Sequence, residues 1–443
     1  SRRWCRWRSR RWCRWRCRRG RGWWSRQRRV TLHSADPLQV ISEQSPPSPL
    51  GRLCSAPAEV FAREIWARKP WLSRAEDLPG SVTDVFSLQA ADELLSQRGL
   101  RTPFIRLAKD GRVLPGSRFT GSGGAGASIA DQVQDDAVMR LFADGATVVL
   151  QALHRTWPAV GELAAGLSED LGHAVQVNAY ITPPQSQGFA AHYDTHDVFV
   201  LQIAGRKRWR IHEPVFTDPL PENPWESVAE QVRARADEVP VLDATFEPGD
   251  CLYLPRGFIH SAQALGGTSL HLTFGVHSAI ERDIVKAVMK RLESSGWRAP
   301  LPASWNPGSP EGHAQIQQVV DELREALTHV DVQALANSLH DQRDTLQRPE
   351  PIAPLAHATL AANLTPADRL RLRHHVNPRT QEQPDKSITL VAAGQRLHVD
   401  ARQLDALERM LSGEEFAVED LPLPNDEALD LARRLLLAGI VTA

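Results

Sequence analysis

The chain has 443 residues, enough for two or three domains. With 42% hydrophobic and 24% charged residues, it lies in the ordinary globular range, which excludes collagen-like, fibrous and wholly disordered classes. The formal charge of -1 hides an asymmetry: residues 1–30 hold fourteen Arg, six Trp and three of the five Cys with no acid, leaving 38 basic against 53 acidic residues in the rest. So acidic a body disfavours broad phosphate-backbone binding.

No apolar run approaches the roughly eighteen residues of a membrane-crossing helix, so no membrane association is expected. Outside the tail only Cys54 and Cys251 remain, which implies no disulfide framework and a reducing compartment.

In the tail, Trp4, Trp7, Trp12, Trp15, Trp23 and Trp24 alternate with arginines. Such a segment reads either as an arm for RNA or a membrane surface, or as a disordered extension that cannot build a core. It lacks the apolar stretch of a secretory leader, so the expected location is the cytoplasm. Ser45-Pro46-Pro47-Ser48-Pro49 ends a linker, and residues 1–52 form tail plus linker. Phe61–Trp66 reads as an amphipathic helix stopped by Pro70. Gly121–Gly126 reads as a surface loop without the lysine of a phosphate-binding loop.

From residue 146 short alternating segments follow: Thr147–Gln151, Ala174–Thr182, Asp197–Ile203, Lys207–Ile211, Asp250–Leu254 and Ser269–Val276. Turn residues separate them, which predicts an antiparallel sandwich or barrel within residues 53–278. Helical periodicity takes over in 281–294, 312–328 and 331–345, a helical part spanning 279–348. Beyond the prolines at 349–354, strands near Ile388–Ala393 and Arg396–Val399 and helices near Arg402–Leu411 and Asp426–Ala438 suggest a winged-helix-like module over 349–443. Its 11 basic and 14 acidic residues from Arg348 onward disfavour DNA binding.

The chemistry concentrates in His192-Tyr193-Asp194 and, much later, in Leu254–His260. In a β segment residues i and i+2 point the same way, so His192 and Asp194 can converge, with His260 supplied from a neighbouring strand. Two imidazoles and one carboxylate leave open metal positions, the arrangement of non-haem Fe(II) oxygenases. Two other His-x-Asp pairs are set aside. His329 and Asp331 lie in a helical pattern, about 200° apart around the axis, and Asp400 reads as a helix N-cap after His398.

Alternation places Asn178, Tyr180 and Thr182 on one face of their strand, and Lys207 beside Trp209 and Ile211 on an inward face. An inward lysine needs an anion: a dicarboxylate cosubstrate, a protein carboxylate, or an escape to the barrel mouth. His271 and Thr273 share a face of Ser269–Val276.

These segments, with Gly205–Ile211 and Ser269–Thr273, resemble the JmjC-type, cupin-fold Fe(II)/2-oxoglutarate oxygenases of the ribosomal oxygenase group. The resemblance covers roughly residues 55–443. It implies an α+β chain: a double-stranded β-helix catalytic core, a helical region forming a homodimer through 279–348, and a winged-helix-like end. It also implies iron on His192, Asp194 and His260, and 2-oxoglutarate on Lys207, fifteen positions after the first ligand. Asn178 and Tyr180 match polar pocket positions, and the pocket's late hydroxyl falls among Thr268, Ser269 and Thr273. Fe(II), 2-oxoglutarate and O2 would then hydroxylate a protein side chain, arginine or histidine of a ribosomal protein. Two alternatives keep the same chemistry, N-methyl-lysine demethylation and hydroxylation of a small molecule or peptide. A third is a cupin-fold binding protein without turnover. The Arg/Trp tail has no counterpart in the family, and nucleic acid is expected as a partner only through it.

Overall fold

The computed structural model describes residues 47–443 apart from 110, 127, 185, 187–188, 294–296, 347 and 384–386. The Arg/Trp tail and its RNA or membrane reading therefore lie outside the described residues. The predicted first helix is only Ala58–Val60, running into a wide turn at Phe61–Ile65 that buries Phe61 and Ile65.

Nine strands build the sheet: β1 (Trp71–Ser73), β2 (Ile105–Lys109), β3 (Arg112–Val113), β4 (Thr147–Leu150), β5 (Ala174–Thr182), β6 (Asp197–His212), β7 (Leu242–Phe246), β8 (Cys251–Leu254) and β9 (Ile259–His277). All pairings are antiparallel, in the order β1-β8-β6-β9-β5-β4-β2-β3, with β7 on the far half of β6. The sequence reading cut β6 in two at Ala204-Gly205-Arg206, and it began β9 at Ser269 where the strand begins at Ile259. Both strands run on because they bend together. Their register shifts between Leu265 and Leu270, and Gly205 sits at φ +65° with its Cα against Thr268. A Cβ there would lie 2.2 Å from the Thr268 carbonyl oxygen, so only glycine fits. The two bent strands carry the sheet around into a barrel, one half bounded by β8 and β5 and the other by β7.

Alternation then sorts the faces. Val177, Ala179 and Ile181 of β5 face outward and join the core made with α3 (Pro158–Leu171), while α1 (Leu88–Gln97) and α2 (Asp135–Ala143) lie on the same outer side. The inward face carries Tyr180 and Thr182. A second core inside the barrel, with Trp209, Ile211, Phe246 and Leu254, closes one end. Another short helix, α4 (Ala229–Ala236), buries Val232 beside Tyr193.

Three helices follow, α5 (Glu281–Glu293), α6 (Pro310–Thr328) and α7 (Val332–Leu346). The last part has α8 (Pro354–Ala362), β10 (Arg369–Leu372), β11 (Arg379–Glu382), β12 (Ile388–Ala392), β13 (Gln395–Val399), α9 (Leu404–Met410), β14 (Phe416–Ala417), α10 (Asn425–Leu437) and β15 (Val441–Thr442). It has a core of its own, built on residues such as Leu390, Leu407 and Leu431. Asp400 caps its helix as expected, with Gln403 completing a capping box. His329, by contrast, ends α6 and Asp331 caps α7, so the pair spans a break and not a helix interior. No helix among the described residues is long and apolar enough to cross a membrane.

Candidate metal centre

His192 precedes β6 in an extended segment and bonds straight onto β9. The His260 amide donates to the His192 carbonyl at 2.8 Å, and the His192 amide donates back at 3.2 Å. Residues paired this way present their side chains on one face, and the two imidazole centroids are 4.4 Å apart. Asp194, two residues on, returns to the same side, with Oδ2 3.8 Å from His260 Nε2. Ligand atoms of His192, Asp194 and His260 all lie within 4.8 Å of one another.

Both rings are oriented from behind. His192 Nδ1 lies 2.7 Å from the Ala190 carbonyl and His260 Nδ1 lies 3.1 Å from that of Phe258. Nδ1 is therefore the protonated nitrogen, and the Nε2 lone pairs turn toward Asp194. Burial pushes His260 down to about 4, with neighbouring His192 adding to the effect, so the ring is neutral at pH 7. Burial would raise the Asp194 carboxyl, but His260, His196, His192 and Arg106 around it hold it below its ordinary value. Two imidazoles and a carboxylate turned toward one point suit a divalent ion with open positions.

The ligands open on a cavity of about 330 Å³. Deep in it Lys207 is only 4% exposed. Its Nζ donates to Thr182 Oγ1 at 3.1 Å and lies 3.4 Å from His271 Nδ1, and no carboxylate reaches it among the described residues. Burial drives the ammonium down to about 7. His271 stacks on Tyr180 at 4.9 Å, meets the edge of Trp209, and is held well below its ordinary pKa by burial and by Lys207. A neutral His271 can accept from Lys207 without countering its charge. Among the described residues neither sequence alternative, a protein carboxylate or escape to solvent, describes this lysine.

The remaining expected residues divide. Tyr180 and Thr273 line the cavity. Asn178 lies outside its lining: its amide oxygen accepts from the Ala152 backbone at 3.0 Å. Of the three candidate hydroxyls, Ser269 accepts from Gln202 and Thr268 faces the outer side of the sheet. Thr273 alone of the three lines the cavity, and Thr182, also in its lining, accepts from Lys207.

Sequence reasoning missed Arg106, Trp225 and Glu226, which also line the cavity. Arg106 comes from β2, two strands away from Tyr180 yet in register with it through Val149. Trp225 lies 6.3 Å from the His192 ring. Its turn is tied to the metal ligands by Tyr193, whose side chain points away from the cavity and donates to the Asn223 carbonyl at 2.9 Å.

Residues 161–284 match the family described as JmjC domain. That stretch of the chain is similar to a JmjC domain. All three candidate ligands and Lys207 fall inside it. Over 226 residues the chain is 35% identical to "Ribosomal oxygenase 1" of Rattus norvegicus, covering 51% of this chain and 36% of that protein. Over 233 residues it is 31% identical to "Bifunctional lysine-specific demethylase and histidyl-hydroxylase NO66" of Culex quinquefasciatus, covering 50% and 33%. The match thus spans about a third of the length of these relatives. The solved structure of YcfD, a ribosomal oxygenase from Escherichia coli in complex with cobalt and succinic acid, superposes with a TM-score of 0.50 at 16% identity. It covers 88% of this chain and 99% of that one, and the likeness is one of fold. The expected α+β, JmjC cupin architecture is the one found.

Proposed function

We propose that this chain is an Fe(II)- and 2-oxoglutarate-dependent oxygenase that hydroxylates a protein side chain, an arginine or histidine of a ribosomal protein. The observation that carries the reading is the convergence of His192, Asp194 and His260 beside a buried Lys207 that meets no carboxylate among the described residues. The names of its relatives support the substrate class.

His192 Nε2, His260 Nε2 and an Asp194 oxygen would hold the ion, and His192, Asp194 and His260 are thereby the catalytic set. An iron centre of this ligand type supplies, with 2-oxoglutarate and dioxygen, the oxidising power for C–H hydroxylation, the cosubstrate leaving as succinate and carbon dioxide.

Lys207 would bind the distal carboxylate of the cosubstrate as a charge-assisted pair, steadied by Thr182 and His271. Tyr180 and Thr273 line the same pocket, while Asn178 supports it from behind through Ala152. Aromatic walls of Trp209, Tyr180 and Phe189 restrict water. At the mouth, Trp225 and the Glu226 carboxylate would meet the incoming side chain, a setting that suits a cation. The relatives named as lysine-specific demethylases use a similar domain, so N-methyl-lysine demethylation is the second reading.

The chain pairs with a second copy through residues 279–348. Ile316, Val319 and Val320 form one exposed apolar stripe on α6, and Ile284 and Val285 add exposed surface on α5. The site of action is the cytoplasm, where an acidic body would recruit basic ribosomal proteins.

The reading is tested by incubating the chain with Fe(II), 2-oxoglutarate and purified ribosomal proteins. Succinate release with a gain of one oxygen on one ribosomal protein is expected. Absence of 2-oxoglutarate consumption with every ribosomal protein would contradict it.

A further inference from the structure

On the outer side of the sheet that walls the metal cavity lies a second hollow of about 550 Å³. Helices α1 and α2 form its banks, with Leu88 and Leu95 on one and Met139 and Phe142 on the other, and Val148 and Ile181 of the sheet form its floor. Met139 is 65% exposed in the middle of its helix. An open apolar trough of this size is unusual on a closed surface, and a flexible thioether is well suited to adapt to a visiting side chain.

The rim is acidic. Asp92 of α1 and Asp135 and Asp136 of α2 line the hollow, and no basic residue does among the described residues. Asp136 pairs with Arg140 at 2.7 Å. Asp135 accepts only the Asp136 amide, and Asp92 makes no ion pair, so two carboxylates meet no cation among the described residues. Two helical banks, an apolar floor and a one-signed rim are the features that receive an amphipathic helix. A small apolar ligand would instead be enclosed, with few charges around it.

We infer that this trough docks a short amphipathic helix, apolar on one face and lined with Lys or Arg beside it, belonging to the protein whose side chain is oxidised. The identity of the occupant rests on the proposed oxygenase reading, and its charge rests on the rim. Trough and centre share one wall: Ile181 floors the trough, while its neighbour Thr182 faces inward and holds Lys207. A protein tethered on the outer face raises the local concentration of its target side chain at the cavity mouth without touching the chemistry.

The test uses the full chain and its Asp92→Lys and Met139→Asp variants, both at exposed positions. The probe is a labelled synthetic peptide of about eighteen residues, leucine on one helical face and lysine on the other, followed by fluorescence anisotropy. About a tenfold weaker binding is expected for each variant, and none for a peptide with glutamate in place of lysine. Equal binding by all three chains, or none by the unaltered chain, overturns the trough as a docking site.

A second arm measures turnover of the ribosomal protein oxidised by the unaltered chain. About a tenfold higher KM for that protein is expected in Asp92→Lys, with kcat and the KM for 2-oxoglutarate unchanged. An unchanged protein KM would overturn the occupant. If no ribosomal protein is oxidised, the oxygenase reading fails, while the peptide titration still decides the trough.

Discussion

His192 and His260 exchange both backbone hydrogen bonds, at 2.8 and 3.2 Å, and this two-bond bridge fixes the metal centre. Sixty-eight residues apart in sequence, they become direct neighbours because β9 begins at Ile259 and reaches the segment before β6. Further along, Gly257 donates to the Asp194 carbonyl at 3.0 Å, so all three ligands hang on one short ladder.

Lys207→Met should give two opposite effects. The buried ammonium titrates at about 7 against an ordinary 10.5, so the folded chain resists its protonation. That cost is present in full below pH 7 and vanishes above the ordinary value. The methionine variant should therefore be more stable near neutral pH, by on the order of 1 kcal/mol or more, with the gain fading in alkali. It should also lose 2-oxoglutarate binding. In the unaltered chain, cosubstrate affinity should weaken as pH rises past 7, because the anion selects the charged lysine. Calorimetric titration of 2-oxoglutarate across this range checks the sign, and a pH-independent affinity would be inconsistent with Lys207 as the anion site.

Gly257→Ala should disturb the ladder. Gly257 has φ +86°, and a Cβ would lie 2.9 Å from both the Phe216 carbonyl oxygen and Pro219 Cδ. A loss of about 1–3 kcal/mol is expected from the backbone alone, with weaker metal binding since the turn carries Asp194. Chemical denaturation reads the first and metal titration the second; an unchanged midpoint would count against the strain argument.

Tyr193→Phe removes the bond to Asn223, worth about 1 kcal/mol. The turn bearing Trp225 and Glu226 should loosen, raising KM for the protein substrate while metal affinity stays. Steady-state kinetics on the oxidised ribosomal protein separates the two, and a fall in metal affinity with KM unchanged would contradict this role.

Val320→Glu should break the proposed pairing by placing a charge in the apolar stripe of α6. Light scattering should show a dimer for the unaltered chain and a monomer for the variant. A monomer in both would remove residues 279–348 as a dimer interface.

Much of the site was legible because alternation is local. Alternation in Ala174–Thr182 separates its two faces, and Lys207 with Trp209 reads as inward, where both lie. What sequence could not supply was partnership across strands. Arg106 reaches the cavity through two pairings that no spacing announces. Thr182 meets Lys207 from a different strand, a contact that spacing along the chain does not announce, and β6 runs on through Gly205 where the sequence pattern breaks. Asn178 shares the face of Tyr180 by parity, and what sequence does not show is that its amide oxygen accepts from Ala152, whose left-handed backbone, at φ +52°, belongs to a loop outside the strand. The helices over the sheet were also missed, and with them the trough between α1 and α2.

The most direct measurement of the central claim is anaerobic calorimetric titration of the full chain with ferrous iron. One ion per chain is predicted. His192→Ala should lose more than about a hundredfold in affinity, beyond the roughly 10–100-fold cost of losing an outer hydrogen-bond partner of a metal ligand, with an unchanged circular dichroism spectrum. Equal iron affinity in the unaltered chain and in a variant lacking His192, Asp194 and His260 together would contradict the account.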